Sequence, residues 1–338
     1  MARIDRKLGK RHSSRLSLAR CQIDDLGCHT LGDRLPPLSH LVLRDNFISK
    51  HGLVALTPSL LSLRELDLSN NVLGRKGAVA AGDLIRSSRL SKLDLANNSL
   101  GSNGALALAG ALSFSPSLTN LGLAHNNICP AGALALALSL PSSRVHKLRL
   151  QGNIVADQGC LHLADYLNDS HLLQLCLQDN LVSDTGCMHL AKALQRNDRL
   201  TKLDLSSNLI STTGALHLVH ALQTNYSLTV LNLTHNCIGP IVLAQIKELL
   251  NRNACLIHSV KILVPLSRRV ATLDIPYDIQ CSILERFTAL YPSADAHCVK
   301  TVLLDKTKIG SLISKSGKNG FSARRLAEQC HRLLYSYM

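Results

Sequence analysis

One phrase recurs along this chain at a nearly constant interval, and it constrains the fold more than any other feature. Its clearest copy is Leu93-Asp94-Leu95-Ala96-Asn97-Asn98-Ser99-Leu100-Gly101. Two leucines alternate with polar residues, an Asn follows three positions after the second leucine, and an apolar residue and a Gly close the phrase. The anchoring leucines are Leu16, Leu41, Leu66, Leu93, Leu121, Leu148, Leu175, Leu203 and Leu231, separated by 25, 25, 27, 28, 27, 27, 28 and 28 residues. Cys21 holds the Asn slot in the first copy, and Asn46, Asn71, Asn98, Asn126, Asn153, Asn180, Asn208 and Asn236 hold it in the rest. A period of this size predicts a solenoid, in which each unit buries its apolar face only against its neighbours.

Each period has two halves. In the first, leucines at alternate positions read as a short strand with both side chains turned into the stack. The Asn that follows is placed to bond the backbone of its own loop and of the neighbouring turn, which gives a ladder of otherwise buried polar groups their partners. In the second half, Gly104-Ala105-Leu106-Ala107-Leu108-Ala109-Gly110-Ala111-Leu112 reads as a helix with small residues on its crowded side and Leu108 and Leu112 on one face. Equivalent strands then lie side by side in parallel. Helices are wider than strands, so the stack bends into a horseshoe with strands on the concave face and helices on the convex face. The expected fold class is therefore α/β.

The form N-x-[IL]-x-x-x-G-A-x-x-L-A-x-x-L, with a full helix and steps of 27–28 residues, resembles the ribonuclease-inhibitor-like class of leucine-rich repeats over residues 16–251. The resemblance implies that the concave strands and the loops after them bind another protein. It does not identify that partner, because this class serves many unrelated ones.

Charge divides the chain into three. Residues 1–15 carry six Lys and Arg against Asp5, residues 16–255 carry 19 against 16 acidic residues, and residues 256–338 carry 12 against six. The expected organisation is a basic arm over 1–15, a repeat domain of about nine units over 16–255, and degenerate terminal repeats or an α/β cap over 256–338. That last segment ends in an amphipathic helix at 322–337. Aromatic residues make up only 3% of the sequence and Trp is absent, so the core must be built from Leu, Ala, Ile and Val. No apolar run is long enough to span a bilayer, and no signal-peptide core opens the chain. The 11 Cys are scattered, and none forms a Cys-x-x-Cys pair. Cys28, Cys160 and Cys187 stand where other repeats carry Ala78, Ala105, Ala133 and Ala215, so they read as small hydrophobes in a reducing compartment. The expected location is cytoplasmic, with cytoskeletal or ciliary association.

Signals for chemistry are poor. Gly310 and Gly317-Lys318 have the wrong spacing for a phosphate loop, and Asn319 stands where Ser or Thr should hold the metal. His162, His189 and His217 share one slot in three successive repeats. Helices about 8–10 Å apart cannot bring all three within about 2 Å of one zinc ion. His217 and His220 on one helix lack the remaining ligands. No catalytic residue and no cofactor or metal is expected.

Strand alternation turns a second set of residues outward: Arg44; Glu65 and Asp67; Lys92 and Asp94; Lys147, Arg149 and Gln151; Gln174 and Gln178; Lys202 and Asp204; and Asn232. Glu65, Asp67 and Asp94 read as an acidic cluster, and Lys147 with Arg149 as a basic pair. Such a mosaic suits a protein partner with its own patterned charge and does not suit a uniform phosphate track. A second basic surface is expected from Lys306, Lys308, Lys315, Lys318, Arg324 and Arg325, suited to an acidic filament or complex. Nucleic acid could meet it only without sequence specificity, since no stacking platform accompanies the charge.

The leading expectation is a non-enzymatic scaffold that holds a protein on its concave face. A second is a GTPase-activating protein, because the repeats resemble those of the Ran activator. That family carries a strongly acidic tail where this chain is basic. A third is a structural part of an axonemal, cytoskeletal or ribonucleoprotein assembly.

Overall fold

The computed structural model describes residues 14–254. Nine strands occur among the described residues: β1 Arg15–Ser17, β2 His40–Val42, β3 Glu65–Asp67, β4 Lys92–Asp94, β5 Asn120–Gly122, β6 Lys147–Arg149, β7 Gln174–Cys176, β8 Lys202–Asp204 and β9 Val230–Asn232. Between them run α1 Asp25–Gly32, α2 Lys50–Leu60, α3 Gly74–Ser87, α4 Gly101–Leu112, α5 Pro130–Ser139, α6 Ala156–Leu167, α7 Asp184–Leu194 and α8 Thr212–Thr224. Residues 240–254 are helical and follow β9. The chain divides into two compact units, Met1–Lys247 and Glu248–Met338. In the second unit only residues 248–254 are described. The cap expected over 256–338, its final helix and the Gly310 to Lys318 loop lie outside the described residues, as does the basic arm up to residue 13. Arg15, the last residue assigned to that arm, opens β1.

The strands form one sheet in chain order, every neighbour parallel. The register follows the repeat: Leu16, Leu41, Leu66, Leu93, Leu121, Leu148, Leu175, Leu203 and Leu231 lie opposite one another. The second leucine of each phrase continues the same bonding beyond the strand proper, as where Leu68 N–H donates to Asp94 C=O at 2.9 Å. Leu66 and Leu68 are both fully buried, and each such leucine contributes about 2 kcal/mol. Small residues let the helices close on the sheet: Ala78, Ala105, Ala133, Ala215, Cys28, Cys160 and Cys187 are all fully buried in one slot.

The Asn column is the ladder the sequence implies. Asn126 accepts from the N–H groups of Asn98 and Leu100 in the preceding repeat, at 3.0 and 3.2 Å. It donates to Leu95 and Ala124 carbonyls at 2.9 and 3.0 Å. Asn153, Asn180 and Asn208 repeat the pattern, so each Asn ties two units together. The residue before each Asn sits in the left-handed region: Asp45, Asn70, Asn97, His125, Gly152, Asp179, Ser207 and His235. Asn, Asp and Gly tolerate that conformation best.

A second buried polar column, absent from the sequence expectations, runs along the other end of the helices. Ser88, Ser115, Ser143 and Ser170 occupy its first positions, and Asn197 and Asn225 the last. Asn225 donates to the Leu194 and Asn197 carbonyls at 2.7 and 2.8 Å, which joins consecutive repeats a second time. A third link crosses helix starts. The Asp184 carboxylate accepts from the Ser211 N–H and hydroxyl at 2.7 and 2.6 Å, and Asp157 does the same for Ser183 at 2.7 and 2.5 Å. Each Asp therefore caps the helix of the following repeat.

Candidate functional site

The side of the sheet opposite the helices is the candidate site, because strand alternation fixes what it displays. With the leucines buried, the flanking side chains turn outward in two columns. One runs through Glu65, Lys92, Asn120, Lys147, Gln174 and Lys202, and the other through Asp67, Asp94, Gly122, Arg149, Cys176, Asp204 and Asn232. Arg44, Gln151 and Gln178 lie one residue beyond the second leucine of their phrases and are likewise exposed or half-buried. Every concave-face residue named from the sequence is thus on one surface. The second set, Lys306, Lys308, Lys315, Lys318, Arg324 and Arg325, lies outside the described residues.

The charges do not sit as a separate acidic cluster and basic pair. Arg149 donates through Nη2 to Asp94 Oδ2 at 2.6 Å, crossing the intervening strand β5. Gly122 makes this contact possible: a Cβ there would lie 2.6 Å from Asp94 Oδ1 and 2.7 Å from Arg149 Nη2. Glu65 is shared by His40 at 3.2 Å and Lys92 at 3.6 Å. Asp45 accepts from Asn70 at 2.5 Å and pairs with Arg20 at 3.1 Å and Arg44 at 3.2 Å. The Asn70 and Arg20 bonds hold its carboxyl below the usual carboxylate range.

Several carboxylates on this face also serve the fold. Asp67 Oδ1 accepts from the Ser69 N–H at 2.9 Å and hydroxyl at 2.6 Å. Asp204 holds Ser206 in the same way at 3.0 and 2.6 Å. Asp94 accepts from the Ala96 N–H at 3.1 Å, and Asn232 from the Thr234 N–H at 3.2 Å. These residues brace the strand-to-loop turn. Two lysines are used differently: among the described residues, Lys147 and Lys202 have no carboxylate within 4.0 Å. Between their strands, burial and then the Asp204 charge raise the Cys176 thiol, while Lys147 and Arg149 oppose the rise.

At the loop edge of the face, the His125 ring lies over Gly152, where a Cβ would come within 2.0 Å of His125 Nδ1. Just beyond five of the ladder Asn residues, the loops carry exposed apolar side chains: Phe47 and Val72 early in the array, then Ile154, Leu181 and Leu209 in three successive repeats. Neither group was singled out from the sequence. The signal was present as an apolar residue at a slot where Ser99 and Asn127 stand in the intervening repeats. Another exposed apolar column, including Val54, Val79, Leu106, Leu216 and Ile241, lies on the helices.

His162, His189 and His217 fall on the successive helices α6, α7 and α8. Among the described residues no three His, Cys, Asp or Glu side chains gather in a way that could hold a metal ion. No helix among the described residues is long and apolar enough to cross a membrane.

A family model described as Leucine Rich repeat matches residues 59–80, 87–109, 114–137, 197–219 and 224–241. Among curated proteins the sequence finds no match. Among solved structures, it is similar to the actin-binding site 2 of leiomodin-1, with 15% identity and a TM-score of 0.38 over 58% of this chain and 96% of that one. It is also similar to the repeat ectodomain of the Arabidopsis receptor kinase HAESA, solved with a peptide hormone, with 17% identity and a TM-score of 0.36. That match covers 66% of this chain and 34% of the ectodomain. The five matched stretches, together with the in-register strands and their Asn ladder, show an array of leucine-rich repeats.

Proposed function

We propose that the chain is a non-enzymatic scaffold that holds a protein partner on the open face of its sheet. The observation that carries this reading is the fixed polar surface itself. Arg149 is held on Asp94 across β5, and Asp67, Asp94 and Asp204 are held by their own turns. Side chains already ordered lose little freedom on binding, so such a face can recognise a patterned partner at low entropic cost. A helix in every repeat from α1 to α8 supports the ribonuclease-inhibitor-like subclass. Charge alone assigns the basic stretches at the two chain ends to docking on an acidic surface, whether filament or complex. Cytoplasmic, cytoskeleton-associated residence is the setting this reading implies.

A photo-cross-linking residue placed at Gln174 tests the reading against one placed at Leu216 on the helices. Adducts with a protein partner are expected from Gln174, and charge reversal at Lys147 and Arg149 should remove them. Adducts from Leu216 with none from Gln174 would move the binding site off the sheet.

A further inference from the structure

The C-terminal half of the open face combines two features that point to one kind of partner. At the start of the strands, Lys147 in β6 and Lys202 in β8 face outward without a carboxylate partner among the described residues, with the neutral Gln174 between them. At the far end, Ile154, Leu181 and Leu209 stand in adjacent loops with relative exposures of 47%, 52% and 63%. These loops are bonded directly to one another: Gly152 N–H donates to Gln178 C=O at 2.9 Å, and Asp179 N–H to Ser206 C=O at 3.0 Å. The apolar residues therefore form a row, one per repeat, at the opposite end of the strands from the lysines.

Leu181 is the most unusual member. Its φ is +58°, a left-handed conformation that bulky residues rarely adopt. Other repeats with a left-handed residue at this slot use Gln22, Ser99 and Asn127, all polar. A leucine held there with half its surface in solvent gains nothing for the turn. Exposed in this conformation, it offers an apolar surface suited to a partner.

From this we infer that the face between Lys147–Lys202 and Ile154–Leu181–Leu209 binds an acidic amphipathic α-helix of a partner protein. The inference rests on the scaffold reading above and adds the partner's chemistry. Spacing selects a helix. Neighbouring strands are about 4.8 Å apart, and a helix advances about 5.4 Å per turn. A helix laid across the strands thus presents close to one apolar side chain per repeat to Ile154, Leu181 and Leu209. Acidic residues two turns apart, about 11 Å, then face lysines two strands apart, about 10 Å. An extended segment repeats each side about every 6.6 Å and falls out of step with the loops. Asp179, exposed beside Leu181, disfavours acidic residues on the apolar flank, so the partner's negative charge is confined to the lysine side. The Asp204 carboxylate keeps its charge but is held by Ser206 and Asn232 rather than by a lysine, so both ammonium groups stay open to ion pairs with the partner's acidic side chains.

The test uses the full chain and a synthetic peptide of three heptads, with Leu in one helical stripe and Glu in the adjoining one. A scrambled peptide and a version with Lys in place of every Glu serve as comparators. Fluorescence anisotropy should show binding of the acidic peptide alone, with a gain of helical circular dichroism. The double variant Lys147→Glu/Lys202→Glu should weaken it at least tenfold and admit the Lys peptide instead. Leu181→Ser should weaken it about tenfold, and Leu216→Ser, with a native exposure of 49% on the helices, should leave it unchanged. Equal binding of all three peptides, or of none, overturns the inference. So does binding of phosphatidylserine vesicles that Lys147→Glu/Lys202→Glu abolishes, which would make the occupant a lipid surface. If Gln174 cross-links to a partner that the acidic peptide fails to displace, the scaffold reading stands and the helical partner falls.

Discussion

Arg149 and Asp94 are 55 residues apart and two repeats apart, yet their side chains meet at 2.6 Å over Gly122. The contact skips a strand, so it exists only because the residue between has no side chain. Replacing Gly122 with Ala is expected to drive the pair apart. The atoms in the way are the far ends of two movable side chains, so the loss of stability should be modest, about 1 kcal/mol or less, as for other solvent-accessible ion pairs. A double-mutant cycle of Gly122→Ala with Asp94→Asn checks this by urea denaturation. Both changes remove the same contact, so their effects should be sub-additive. Full additivity would show that Gly122 does not control the pair.

The Asn ladder predicts a position-dependent cost. Asn126 is fully buried and satisfies two backbone N–H groups of the preceding repeat. Asn126→Ala leaves both without a partner, and at roughly 1–3 kcal/mol for each buried orphan the variant should lose about 2–6 kcal/mol. Asn236 is only half-buried and accepts from the Ile210 N–H at 3.0 Å. It also donates to the Leu205 and Leu233 carbonyls, but water reaches this half-buried site and can replace the lost partners, so Asn236→Ala should cost only about 1 kcal/mol. Urea midpoints of the two variants would separate these outcomes, and equal losses would mean that the ladder does not act through burial.

How far the sequence could be read follows from the range of each interaction. Leu66 and Asn71 declare themselves because every repeat needs them at the same slot, and a strict period is visible without any structure. The outward set, from Arg44 to Asn232, follows from alternation alone. The Arg149–Asp94 bond does not, because it joins repeats that are not neighbours and depends on the absence of a side chain at Gly122. The Ser88 to Asn225 column was also hidden, since a polar residue before a strand looks like an ordinary turn until its burial is known. Leu181 was passed over for a related reason: an apolar residue beside a ladder Asn reads as core, and only its backbone conformation and exposure set it apart.

Acid should loosen the array first where carboxylates cap the next repeat's helix. Burial works against ionisation of Asp184, but the Ser211 hydroxyl, the Ser211 N–H and the Gly214 N–H outweigh it and hold the carboxyl below its ordinary value. Asp25 is lowered in the same way by Ser49 and Gly52. A depressed folded pKa makes its contribution fully present above the unfolded value of about 3.9, and that contribution is lost as pH falls through the folded value. Asp184→Asn should therefore lower the urea midpoint at pH 6, and the gap from the parent chain should narrow as pH drops from about 4 towards 3. A gap that stays constant over that interval would mean the cap does not depend on the charge of Asp184.

Cysteine reactivity should report the packing of the helix layer. Cys28, Cys160 and Cys187 fill the slot that alanine takes in other repeats, and all three are fully buried. Burial, with Asp25 and Asp24 beside Cys28 and Asp184 and Asp157 beside Cys187, pushes those two thiols up to about 12, and the Cys160 thiol is raised by burial and Asp157. The thiolate is the reactive form, so at pH 8 these residues should resist iodoacetamide while the exposed Cys237 is alkylated. In urea above the midpoint all should react, and mass spectrometry of the digested protein reads both states. Cys160→Ala, which restores the alanine of the sister repeats, should shift stability by less than about 1 kcal/mol, as expected where cysteine acts as a small hydrophobe. Rapid alkylation of Cys160 or Cys187 in the native chain would show that the helices open locally, with far less energy than the buried slot implies.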